Sequence, residues 1–150
     1  MGSVFLGRNG VGENAAERVT REVRNGMKRI VILIDDLNVK AELNESESAT
    51  KIWDALPIIG TTCTWGEEVF FEIPVVHGLE SNAKQEVEVG TLAYWPPGKA
   101  LCIFFGKTPV STSGKPKAYS PVNVVGTVLG DTKVFKILRS GDEVRIRKAP

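Results

Sequence analysis

Apolar runs in this chain are short, and turn residues stop each of them. "RIVILI" (29–34) is continuous and reads as a fully buried strand, while "LNVKAEL" (37–43) alternates; Asp35 and Asp36 between them predict a hairpin. "IIGTTCTW" (58–65) and "EVFFEIPV" (68–75), with Gly66 at the corner, read as a second hairpin. "QEVEV" (85–89), "TLAYW" (91–95), "ALCIFF" (100–105), "NVVGTV" (123–128) and "DEVRIR" (142–147) complete the set. Many short strands leave many unpaired edges, and closing the sheet on itself removes them. The expected fold is therefore mainly β: a closed antiparallel barrel of about eight strands, with about two capping helices.

The helices are signalled by their caps. In "NESESATKIWDALP" (44–57) Asn44 or Ser46 can cap the start and Pro57 stops the run. Ala49, Ile52, Trp53 and Leu56 share one face, which predicts an inward-packed Trp53. "DTKVFKIL" (131–138) reads as a shorter helix capped by Asp131.

Residues 1–26 differ in composition from the rest of the chain. They are rich in Gly, Asn and Arg, and "ENAAERVTREV" (13–23) has only Val19 and Val23 as an apolar stripe. That is too little to dock a helix, so the expectation is a flexible tail at 1–26 and one barrel domain at 27–150, with Met27 a candidate natural start. "GRNGVG" (7–12) fits neither common phosphate-loop pattern.

Lys plus Arg number 19 against 18 for Asp plus Glu, a balance that argues against a nucleic-acid partner. No apolar run approaches the ~20 residues of a membrane span, and the start lacks a signal-peptide pattern, so no membrane partner and a cytoplasmic location are expected. Cys63 and Cys102 belong to no paired-cysteine motif and sit in apolar runs, which predicts two buried free thiols. His77 is the sole histidine and has no ligand-spaced companions, so it reads as a surface-loop residue; neither a metal nor a cofactor is expected.

The densest feature is "TLAYWPPGKALCIFFG" (91–106): four aromatic rings around a Pro96–Pro97–Gly98 corner with Lys99 beside it. Strand alternation lets only one of Phe70 and Phe71, and one of Phe104 and Phe105, face inside. The others must lie under a cap or loop, line a groove, or meet a partner. A stiff diproline turn favours a pre-formed pocket wall. Residues 107–121, rich in Ser, Thr, Gly, Pro and Lys, read as loop.

"TWGEEVFF" (64–71), "GTLAYWPPGKALCIFFGKTP" (90–109) and "SPVNVVGTV" (120–128), in this order, resemble a family of small, largely uncharacterised prokaryotic proteins with a cyclophilin-like fold. The resemblance covers roughly residues 27–150 and implies an eight-stranded barrel with a helix at each end. It also implies that Phe105 stands where cyclophilins hold the substrate proline, with Trp95 and Pro96 at small and polar groove positions. The cyclophilin catalytic arginine is not matched: no arginine lies between Lys51 and Lys84. The X–Pro rotation barrier is ~18–20 kcal/mol, and a fixed cation that favours the twisted amide is what lowers it. Lys99 is a mobile substitute, which implies weak prolyl isomerase activity at best.

The reading is a binding module for a short peptide or small apolar ligand, held by Trp65, Glu67, Phe70, Tyr94, Trp95, Lys99, Phe105 and Asn123. Alternatives are a degenerate prolyl isomerase and a homodimerising interaction subunit; monomer and homodimer both stay open. Glu67 and Glu68 are neighbours, so they cannot jointly flank one bond.

Overall fold

A computed structural model describes residues 28–150. The tail and the polar helix read in 13–23 lie outside the described residues, as does Met27. Among the described residues ten strands form: β1 (Lys28–Ile34), β2 (Leu37–Leu43), β3 (Ile58–Thr61), β4 (Cys63–Thr64), β5 (Glu68–Glu72), β6 (Lys84–Glu86), β7 (Thr91–Trp95), β8 (Ala100–Phe104), β9 (Lys117–Leu129) and β10 (Glu143–Lys148). All pairings are antiparallel, in the order β3-β10-β1-β2-β9-β7-β8-β5-β4, with β6 added to β9. Ile34 and Leu37 face each other, so the first hairpin turns on Asp35 and Asp36 alone, and Asp35 takes the positive φ of 51° that such turns use.

The sheet is mainly antiparallel β as expected, but hydrogen bonds between strands do not close it on itself. The hydrogen-bonded path has two ends, β3 and β4, and these are successive pieces of one segment joined at Thr62. Thr62 spends its polar groups on the 139–142 turn instead of on a neighbouring strand. Its N–H donates to Asp142 O at 2.9 Å and its carbonyl accepts from Gly141 N at 2.8 Å. Its Oγ1 donates to Arg139 O (2.8 Å) and accepts from Asp142 N (2.9 Å). The chain passes from one end of the sheet to the other at this pivot.

Helix α1 (Glu47–Ala55) starts where its cap predicts: Ser46 accepts from Ala49 N at 3.2 Å. Ala49 and Ile52 are buried in the core. Trp53 packs against that core while staying half-buried, and its ring lies under two ammonium groups, Lys148 at 4.7 Å and Lys28 at 5.6 Å from the centroid. The second helical stretch is a 3₁₀ turn (Thr132–Ile137), with Asp131 accepting from Lys133 N. It sends Phe135 into the core against Phe105, ring centroids 5.7 Å apart. Among the described residues no helix is long and apolar enough to cross a membrane.

The sheet has two apolar faces. Inside are Ile30, Ile32, Leu43, Phe71, Leu92, Tyr94, Leu101 and Ile146, among others. A second cluster of Val87, Ala93, Ala100, Cys102, Phe104, Ala118 and Val122 lies apart from it. Residues of β7 and β8 enter both clusters, which is why their sequences are continuous apolar runs without alternation.

Candidate functional site

The second cluster does not close completely. A hollow of about 220 Å³ opens there, lined by Trp65, Glu68, Phe70, Trp95, Cys102, Ala118, Tyr119 and Val122. Its floor is set by register. Phe70 on β5 faces Cys102 on β8, which faces Ala93 on β7, so these side chains share one surface. Glu68 precedes Phe70 by two residues and so points the same way.

Each wall is fixed locally. Trp65 begins a tight turn in which its N–H donates to Glu68 O at 2.9 Å and its own carbonyl accepts from Glu68 N at 3.2 Å. Gly66 holds φ 59° there, and a Cβ on it would meet Thr108 Cα at 2.9 Å, so the turn tucks against 107–109 only with glycine. Trp95 ends β7, and its Nε1 donates to Ser120 Oγ at 2.7 Å. Tyr119 comes from the first part of β9, secured by β6: Gln85 Nε2 donates to Ala118 O at 2.8 Å and Val87 N to Pro116 O at 3.0 Å. The Trp65 and Trp95 rings stand at 73° and 84° to the Tyr119 ring, both 6.1 Å away, so they form walls and not a stack.

Glu68 is the polar feature of the floor. It is 6 % exposed, and its Oε1 has no hydrogen-bond partner. Burial pushes its carboxyl up to about 7, and the neighbouring Cys102 thiol pulls the other way. Burial in turn holds Cys102 well above the usual thiol range, so it stays protonated.

Of the residues expected at a site, Trp65, Phe70 and Trp95 come together in this hollow. Lys99 does not; it lines an adjoining surface depression that shares Phe70 and Trp95, with its Nζ 4.0 Å from Glu72. Glu67 lies on the tight turn, folded over Gly106 and 3.7 Å from Lys136. Tyr94, Phe105 and Asn123 are placed elsewhere. Tyr94 is fully buried in the inner core and donates to Val75 O at 2.6 Å. Phe105 packs inward on Phe135, away from the groove position that the cyclophilin resemblance implies for it. Asn123 is a buried tie: it donates to Ser48 Oγ and Gly78 O, both at 2.9 Å, and accepts from Glu80 N.

Three other expectations are corrected. Residues 117–121 belong to β9 and are not loop, because Thr108, Ser111 and Lys117 clasp the shorter loop shut. Cys63 is exposed; only Cys102 is buried. His77 is largely buried between Glu80 (3.6 Å) and Glu47 (3.7 Å) and is not a free surface side chain.

Glu68, Cys102, Ala118, Tyr119 and Val122 join the site without having stood out in the sequence. Strand parity carries a usable signal for Glu68: it shares a face with Phe70, whereas Glu67 does not.

A profile described as cyclophilin-like matches residues 28–147. The chain is also similar to a hypothetical protein from Archaeoglobus fulgidus whose structure was solved in solution. The two share 38 % identity over 83 % of this chain and 97 % of that one, with a TM-score of 0.70. No protein of curated function matches. The residues, the fold and the archaeal relative agree, and the chain belongs to the cyclophilin-like family.

Proposed function

We propose that this protein is a binding module that takes a small, largely apolar molecule into the hollow on the second face. One observation carries the reading: four aromatic side chains, Trp65, Phe70, Trp95 and Tyr119, surround about 220 Å³ that the protein's own side chains leave unfilled. Interiors pack tightly, and a concave, mostly apolar hollow lined by aromatic rings is the usual form of a ligand site. The size suits a small molecule or a single side chain. No lining residue is an arginine or lysine, so nothing there stands ready to pull on a bound amide.

The test is a thermal-shift screen of small cyclic and aromatic fragments against residues 1–150. Binding to the native state raises the melting temperature with occupancy. The reading predicts hits whose shift disappears in Trp65→Ala and Tyr119→Ala. Hits unaffected by either substitution, or no hits at all, contradict it.

A further inference from the structure

The aromatic walls explain apolar binding but not the acid beneath them. Glu68 brings a carboxyl to the floor, 6 % exposed, with Oε1 unpartnered. An unpaired buried polar group is costly, so a site that retains one gains when a ligand supplies the missing donor. The surroundings specify that donor further. The titratable group packed on the carboxyl is Cys102 of β8, which stays neutral. From β4–β5, β7 and β9 the lining is Trp65, Phe70, Trp95, Ala118 and Val122, all uncharged, plus the Tyr119 ring. The cavity thus offers one acidic group and several ring faces, and both favour a cation over a neutral donor.

We infer, on the basis of the binding reading above, that the ligand is an organic amine bound as its ammonium ion, with at least one N–H donated to Glu68 Oε1 and its carbon skeleton among Trp65, Phe70, Trp95 and Tyr119. A neutral donor satisfies the oxygen but leaves an ionised carboxylate without a countercharge. A quaternary ammonium supplies the charge but no hydrogen for Oε1.

Binding selects the ionised carboxylate, so affinity is linked to the titration of Glu68. With its carboxyl titrating at about 7, the ionised fraction rises about tenfold between pH 6 and pH 8. An alkyl amine stays protonated across that window, as a lysine does with its pKa of ~10.

Three probes of similar shape test this: cyclohexylamine, cyclohexanol and N,N,N-trimethylcyclohexylammonium, each titrated while the indole N–H signals of Trp65 and Trp95 are followed by NMR. Cyclohexylamine is expected to bind at least tenfold tighter than either other probe at pH 8, and to weaken about tenfold at pH 6 while cyclohexanol holds constant. Glu68→Gln is expected to erase the gap between amine and alcohol. The wild-type pH profile tests the same claim without a substitution. Cyclohexanol matching cyclohexylamine at pH 8 overturns the amine inference and leaves the apolar hollow standing. The trimethyl compound matching cyclohexylamine overturns the N–H contact to Glu68. Silence from all three probes removes both this inference and the reading beneath it.

Discussion

The Trp95 ring lies directly on Gly98: a Cβ at position 98 would sit 2.6 Å from both Cε3 and Cζ3 of the indole. The diproline corner therefore does more than reverse the chain. Pro96 and Pro97 open a 3₁₀ turn, Gly98 leaves room for the ring, and Lys99 closes it with φ 48° and its N–H donated to Pro96 O. The ring is then held from the far side by Ser120. Gly98→Ala must displace the indole. The expected cost is roughly 1–3 kcal/mol of stability, as for other overpacked sites. Urea unfolding measures it, and a shifted Trp emission maximum in the folded variant shows that the wall has moved.

Glu68 gives the fold a pH dependence of known sign. Its carboxyl titrates at about 7 in the folded chain against an ordinary 4.5. A raised pKa means that the native state binds the proton more tightly than the unfolded chain does. The associated stability is fully present below about 4.5, is lost as pH rises toward 7, and stays lost above it. The full difference is on the order of 3 kcal/mol. Relative to the wild type, Glu68→Gln should gain stability between pH 5 and pH 8. A wild-type-minus-variant difference that is flat across that range contradicts the burial assigned to this carboxyl.

Tyr94 and Asn123 belong to the framework. Tyr94→Phe removes the hydrogen bond to Val75 O and should cost about 0.5–1.5 kcal/mol. Asn123→Ala strips partners from Ser48, Gly78 and Glu80 and should cost more. Fragment binding at the hollow, measured by the same thermal shift, should survive in the folded variants. Loss of binding in Tyr94→Phe without loss of stability contradicts this division.

Thr62 is the joint between the two ends of the sheet. Thr62→Val keeps its shape but removes the hydroxyl that bonds both Arg139 O and Asp142 N. A loss of about 0.5–1.5 kcal/mol is expected, because two backbone groups at a part-buried site exchange the hydroxyl for water. Unfolding by urea at constant m-value checks it, because an altered m-value would signal a changed native or denatured state instead.

The two cysteines should differ in reactivity. Cys63 is exposed, while Cys102 is buried and its thiol is held in the protonated form. Since the thiolate is the reactive species, a chromogenic disulfide reagent should label one thiol per folded chain rapidly and the second only on unfolding. Rapid labelling of Cys102 would mean that the floor of the hollow opens more than its packing allows.

The framework is legible where a local rule acts alone. Ser46 and Asp131 cap their helical stretches because a short side chain carries its oxygen to the first free N–H groups. Asp35 and Asp36 make the hairpin because a two-residue turn needs residues that tolerate its backbone angles. The site is only partly legible. Trp65, Phe70 and Trp95 stand out as large rings beside turns. Tyr94 and Phe105 stand out for the same reason, but register sends them inward: Phe70 faces Cys102, so Phe104 shares its surface and Phe105 does not. Tyr119 is hidden because its surroundings look like loop; pairing with β6 and a side-chain clasp make them strand. Glu68 and Glu67 look alike in the sequence, and only strand parity decides which of them meets the hollow.

The central claim is that the hollow beside Trp95 takes up a small apolar ligand. The chain has three tryptophans, two of them in its walls and Trp53 outside it. Indole N–H signals from ¹⁵N-labelled protein, followed while a fragment hit is added, test the claim most directly. The account predicts that Trp65 and Trp95 shift together and saturably while Trp53 stays still. Equal movement of all three signals, or saturable movement of Trp53 alone, would contradict it.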